Sequence, residues 1–157
     1  MKTYLAAVAV AAALAQPAPA TTFPSLTTIY VISGVLNSSD AADAGVATAF
    51  QCSNVSGVTT SIRFLVLSDA GAVLASSTVN NVAHGATVAR STHPTNSYGG
   101  EGSGLIAGTA LNAGVVNIES LQSGVFCTAA VIDAAANAPD GVSPHIVRIN
   151  AHPGTVE

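Results

Sequence analysis

The chain has 157 residues, of which 49% are hydrophobic and only 8% are charged. This composition is too apolar for an intrinsically disordered protein, and the length suits one domain with a single core. Lysine occurs only at position 2, which excludes Schiff-base chemistry, lysine-dependent phosphate-cradling loops and serine–lysine dyads.

The first twenty residues have the pattern of an export signal. Lys2 provides a positive start, residues 5–14 form an unbroken apolar run, and small residues permit cleavage after Ala15 or Ala20. The run is too short to cross a bilayer. We therefore predict a signal peptide over residues 1–20 and an exported protein, in the periplasm, at the cell surface or outside the cell, with no integral membrane segment in the mature chain.

Cleavage after Ala20 leaves a chain with few cations. Its three arginines, Arg63, Arg90 and Arg148, stand against eight carboxylates, which gives a net charge of −5. Nucleic-acid binding needs clustered cations that displace counterions from phosphates, and anionic lipid surfaces attract polybasic segments. Three scattered arginines form no such cluster, so we expect no nucleic-acid partner.

Strand patterns recur along the rest of the chain, after a short leader over residues 21–26. Turn-forming residues separate them about every 8–12 positions, which is typical of an antiparallel sandwich or barrel. We predict an all-β antiparallel β-sandwich of seven to nine strands in a single domain, 27–157. For two alanine-rich stretches, 41–49 and 129–138, a helical turn is the alternative prediction. The predicted strands are 27–36, 45–53, 58–68, 73–79, 87–92, 105–109, 115–120, 124–134 and 145–151.

Alternation within these strands predicts which side chains point inward. In residues 58–68, Ile62, Phe64 and Val66 share one face, while Thr59 and Ser61 lie on the other. The same reasoning places seven side chains in the core: Phe50, Ile62, Phe64, Val66, Val131, Val147 and Ile149.

Cys52 and Cys127 are the only two cysteines, and both lie in strand patterns among apolar neighbours. Inward cysteines on two strands of an exported domain predict a structural disulfide between them. The alternative is a pair of buried free thiols. No histidine lies within ten residues of either cysteine, so a metal or nucleophile role is less favoured.

The chain resembles small exported bacterial proteins that have an immunoglobulin-like β-sandwich. The stretches that carry the resemblance are 45–54 (GVATAFQCSN), 69–74 (DAGAVL), 127–134 (CTAAVIDA) and 145–150 (HIVRIN). The resemblance implies the fold and no catalytic residue, because that type of protein has no assigned activity. The tryptophan that antibody-type domains pack against their disulfide is missing here, so that branch is not implied.

No pattern of catalytic or metal-binding residues appears. The sequence lacks the Gly-x-Ser-x-Gly, His-Glu-x-x-His and Cys-x-x-Cys motifs. His93 and His152 each precede a proline, where a solvated loop position is expected. Asp40 and Asp43 could hold calcium, but two carboxylates are few for such a site, and a turn with solvated aspartates is preferred. We expect no metal, no cofactor and no catalytic residue.

The sequence favours a non-enzymatic exported module that binds or interacts with an unknown protein or cell-surface partner. The loop over 93–104 is the expected contact surface, because loops at the ends of a sandwich are exposed. The alternative is a structural subunit of a surface filament or layer, in which the segment 21–26 completes a neighbour's sheet. A surface with few charges also leaves self-association open.

Overall fold

The computed structural model describes residues 22–38, 41–96, 104–106, 108–137 and 140–149. These residues form nine β-strands joined by turns, and none of them is helical, so no helix among them could span a membrane. The strands are β1 (Thr22–Asn37), β2 (Val46–Asn54), β3 (Thr60–Leu67), β4 (Val73–Val82), β5 (Thr87–Ser91), β6 (Leu111–Gln122), β7 (Val125–Asp133), β8 (Gly141–Val142) and β9 (Ile146–Arg148).

Every strand pair is antiparallel, and the pairs fall into two groups. The first layer has the order β4-β3-β6-β1-β9, and the second layer has the order β5-β2-β7-β8. The two are joined by the single residue pair Asn37 and Ala47. Across the core between them, the ring centroids of Phe50 and Phe64 lie 6.2 Å apart. The predicted all-β antiparallel fold is thus confirmed, whereas the immunoglobulin-like strand arrangement stays a prediction.

The alternation of β3 positions the core as predicted. Ile62, Phe64 and Val66 are fully buried, and so is Phe50 on β2. Burial of each such side chain stabilises the fold by about 1.5–3 kcal/mol. At the end of β3, a hairpin turn leads into β4, with Gly71 at φ +79° and the Ser68 amide donating to the Ala72 carbonyl at 2.8 Å.

The predicted core is wrong at the end of the chain. Val147 is 42% exposed and Ile149 is 40% exposed, whereas Ile146 packs against the core. β9 has only three residues, so its alternation carries too few positions to fix which face is buried. Val131 is half-buried rather than fully enclosed.

Several elements differ from the prediction. β1 already begins at Thr22, which pairs with Gln122, so residues 22–26 belong to the sheet and are not a separate leader. The described residues of the segment 105–109 form no strand: Leu105 and Ile106 lie in a turn, and Gly108 has φ +80°. The described residues of the two alanine-rich stretches form strand and turn, because pairing with neighbouring strands outweighs the intrinsic helix preference of alanine.

Candidate functional site

The titratable side chains among the described residues are dispersed. His84 accepts a hydrogen bond from the Gly57 amide at 3.1 Å, and Asp133 accepts one from the Ala135 amide at 3.0 Å. Among the described residues, no group of three histidine, cysteine or carboxylate side chains lies close enough to hold a metal ion. Asp40 and His152 lie outside the described residues, as do the predicted signal peptide over residues 1–20 and most of the loop over 93–104.

His93 is fully buried, so the expectation of a solvated histidine is wrong. Its Nδ1 is hydrogen-bonded to Oδ1 of Asn37, and its Nε2 lies 2.8 Å from the Ala44 carbonyl oxygen. The Asn37 amide nitrogen in turn donates to the Thr109 carbonyl at 2.6 Å. A histidine buried at the start of the 93–104 loop is not available to a partner, which removes one residue from the predicted contact surface.

Two threonines extend this buried polar cluster at the corner where β1 meets β2. The Thr48 hydroxyl accepts from the Leu36 amide at 2.8 Å, and the Thr92 hydroxyl donates to the Leu36 carbonyl at 3.0 Å. These side chains connect the strands where the backbone ladder has only one residue pair. Every buried side-chain nitrogen or oxygen among the described residues has a hydrogen-bond partner. The corner is therefore a structural joint and presents no free polar group to a ligand.

The predicted disulfide is present between Cys52 and Cys127. The two residues are direct cross-strand partners on β2 and β7, with their Cα atoms 4.1 Å apart. The bond therefore lies within the second layer and does not join the two layers. It fits an oxidising compartment.

The arginines have structural partners. Arg63 forms an ion pair with Glu119, its direct neighbour on β6. Arg148 donates to the Ser123 carbonyl at 2.9 Å, and its guanidinium lies 5.2 Å from the centre of the exposed Phe126 ring. Arg148 is thus on the same side of β9 as Ile146, which packs against the core.

One shallow apolar depression lies on the second layer, with a volume of about 520 Å³. Asp133 is the titratable residue among its described lining, and its carboxylate already accepts the Ala135 amide. The depression is therefore an apolar surface without a polar group poised for catalysis. Its described lining residues are Gly45, Val46, Val131, Ile132, Asp133, Gly141 and Val142.

The most distinctive open feature is the edge of the first layer, strand β4. Its ten residues pair with β3 only, so the backbone on the other side of the strand has no strand partner among the described residues. The other strands that pair on one side only are shorter: β5 has five residues, β9 three and β8 two. An unpaired row of amides and carbonyls is a template for another extended chain.

No charged side chain of β4 opposes such pairing. The strand, with the sequence VLASSTVNNV, contains no charged residue and no proline, which are two of the usual protections of a natural sheet edge, and its irregular pairing lies outside residues 75–79. Val73 at its start is 62% exposed and Leu74 is 37% exposed. The exposed apolar side chains at one end and the small hydroxyl side chains in the middle leave the edge accessible.

Sequence reasoning found this strand but not its position in the sheet. The spacing of strand and turn signals predicts a strand over residues 73–79, but such spacing does not reveal which strands pair. The available signal was compositional, since a strand without a charge or a proline is unusual at an edge. The edge formed by β4 is therefore the candidate functional surface.

Comparisons with known proteins found no match. No protein-family model, no curated protein and no solved structure matches the chain. The function is accordingly argued from the geometry of the molecule.

Proposed function

We propose that the protein is an exported, non-enzymatic interaction module that binds an extended segment of a protein or cell-surface partner along β4. The observation that carries the proposal is the ten-residue, uncharged edge of the first layer. Strand addition at such an edge gains affinity from main-chain hydrogen bonds, and the side chains of alternate residues provide specificity.

Export is supported by two independent features. The first twenty residues have the pattern of a signal peptide. The disulfide between Cys52 and Cys127 is a bond that persists in oxidising compartments and is rare in the reducing cytosol. Together they favour the periplasm, the cell surface or the extracellular space.

The alternative function, a filament subunit that donates its N-terminal segment, has less support. Thr22 and Thr27 pair with Gln122 and Ser120 of β6 in the same chain. Donating this segment to a neighbour would first break that pairing. A partner that uses β4 requires no rearrangement of the described strands.

The proposal is tested with a pair of lysine variants. Thr78 is exposed on β4, whereas Gln51 is exposed on β2, which is paired on both sides. A lysine on an edge opposes strand addition, whereas the same charge on a central strand does not touch the edge. Immobilised wild-type protein and Gln51→Lys should retain the same protein from the exported fraction of the native host, and Thr78→Lys should retain less than about a tenth as much.

Two results would contradict the proposal. Equal retention by all three proteins would exclude β4 as the binding edge. Turnover of an ester, glycan or peptide substrate by the purified protein, lost on denaturation, would show that the protein is an enzyme.

A further inference from the structure

Strand β4 contains a regular stretch between two irregularities. Residues 75–79 pair one to one with residues 62–66 of β3. On one side, an extra residue bulges at Leu74, and on the other side the register shifts near Asn81, which has φ +58°. Bulges bend a strand and interrupt its pairing, so the five residues 75–79 are the part of the edge best shaped to accept a further strand.

A second copy of the same stretch fits this edge in one antiparallel register. Residues directly opposite each other in an antiparallel pair point to the same side, so inward residues must oppose inward residues. Ala75, Ser77 and Val79 are partly buried, whereas Ser76 and Thr78 are exposed. Placing Ser77 opposite Ser77 satisfies this condition and pairs the whole regular stretch with itself. Every other register that keeps the faces aligned either brings a bulge into the ladder or pairs at most three residues of the regular stretch.

The side chains that meet in this register are complementary. The inward pairs are Ala75 with Val79 and Ser77 with Ser77, so the larger valine lies opposite the small alanine. On the outer face, Ser76 lies opposite Thr78, and cross-strand pairs of hydroxyl side chains are favourable. The stretch carries no charge, so two copies bring no like charges together even though the whole chain is acidic.

We infer that the partner of β4 is a second copy of this chain, paired antiparallel about a twofold axis at Ser77. This inference rests on the proposed function, because it names the occupant of the same edge. The contact uses the same surface on both copies, so it closes on itself and gives a dimer, not a filament. The two first layers join into one continuous sheet of ten strands, five from each copy.

Single-cysteine variants of the exported, disulfide-bonded protein test the register. In the inferred dimer, the two Ser77 Cα atoms lie about 4.5–5.5 Å apart, which permits a disulfide. The two Ser76 positions are diagonal neighbours about 7–8 Å apart, which is too far. Mild oxidation should therefore convert Ser77→Cys to a covalent dimer, leave Ser76→Cys monomeric, and link Ser76→Cys to Thr78→Cys when the two are mixed. Peptide mapping confirms that Cys52 remains bonded to Cys127.

Sedimentation velocity provides a measurement without cysteine variants. The wild-type protein and Gln51→Lys should double in mass as the concentration rises, and Thr78→Lys should keep the mass of one chain. A wild-type protein that stays monomeric at millimolar concentration overturns the inference, as does equal cross-linking of Ser77→Cys and Ser76→Cys. One outcome separates the two proposals. If the wild-type protein stays monomeric but retains a different protein, and Thr78→Lys does not retain it, the second copy is excluded as the partner and the proposed interaction module is supported.

Discussion

Strands β3 and β4 are neighbours in one hairpin, yet they contribute to the molecule in opposite ways. β3 is paired on both sides, and every second side chain from Thr60 to Val66 is buried. β4 is paired on one side, and only its last residue, Val82, is buried. Both strands alternate with a period of two residues. In β3 the alternation buries every second side chain, whereas in β4 it leaves all but Val82 partly or fully exposed.

The difference comes from the residue types that alternate. In the middle of the hairpin, the inward residues of β3 are large and apolar, whereas their cross-strand partners on β4 are small. Val79, opposite Ile62, is the exception and packs against the core. Phe64 lies opposite Ser77, and Val66 lies opposite Ala75. The hairpin therefore carries its large core side chains on β3. The uncharged edge of β4 is the surface that the proposed pairing with another chain uses.

The largest expected effect removes the central side chain of β3. Replacing Phe64 by alanine should lower the free energy of unfolding by about 3–5 kcal/mol, because a fully buried ring that packs against Phe50 leaves a cavity. Its cross-strand partner provides the control, since Ser77→Ala should change stability by no more than about 0.5 kcal/mol. Urea unfolding followed by circular dichroism measures both. Equal losses would mean that β3 and β4 share the core.

The second effect concerns the cross-strand disulfide. Replacing both Cys52 and Cys127 by alanine should lower the free energy of unfolding by about 2–4 kcal/mol, because the bond closes a loop across a sequence separation of 75 residues. Strand β4 serves as the internal control, because no disulfide links it to another strand. Hydrogen exchange should therefore accelerate in β2 and β7 and stay nearly unchanged in β4. Alkylation of both cysteines in the unreduced, unfolded wild-type protein would refute the bond.

A third effect contrasts a buried asparagine with an exposed one. Asn37→Ala should cost about 2–3 kcal/mol, since it leaves Nδ1 of the buried His93 without its Asn37 partner and removes the hydrogen bond to the Thr109 carbonyl. Asn80 is exposed on β4 and accepts a hydrogen bond from the Ser61 hydroxyl, so Asn80→Ala should cost no more than about 0.5 kcal/mol. Thermal unfolding of the two variants measures the difference. Equal stabilities would show that the corner is held by the backbone alone.

The sequence predicted the features that depend on local alternation. The burial of Ile62, Phe64 and Val66 follows from a strand long enough to display a period of two. The pairing of Cys52 with Cys127 follows from two inward cysteines, because no other partner exists in the chain. Strand β9, with three residues, is too short for the same reasoning, and there the predicted face was wrong.

The features that depend on distant contacts could not be predicted. His93 bonds to Asn37 across 56 positions, and no periodic pattern links the two residues. Gly104 also packs against the His93 backbone, where an added Cβ would lie 2.2 Å from the His93 Cα, a clash that glycine avoids. The edge position of β4 likewise depends on the order of the strands in the sheet, and local alternation does not determine that order.

The smallest expected change in stability belongs to the variant that should change assembly most. Thr78→Lys alters an exposed side chain, so at low protein concentration the free energy of unfolding should stay within about 0.5 kcal/mol of wild type. If β4 binds a second copy, the wild-type melting temperature must rise with concentration, because association stabilises the folded state by mass action. The melting temperature of Thr78→Lys should not rise. Differential scanning calorimetry at two concentrations a hundredfold apart separates the outcomes: parallel behaviour of the two proteins would mean that β4 contributes to the fold alone, and a concentration dependence confined to the wild type would assign it to assembly.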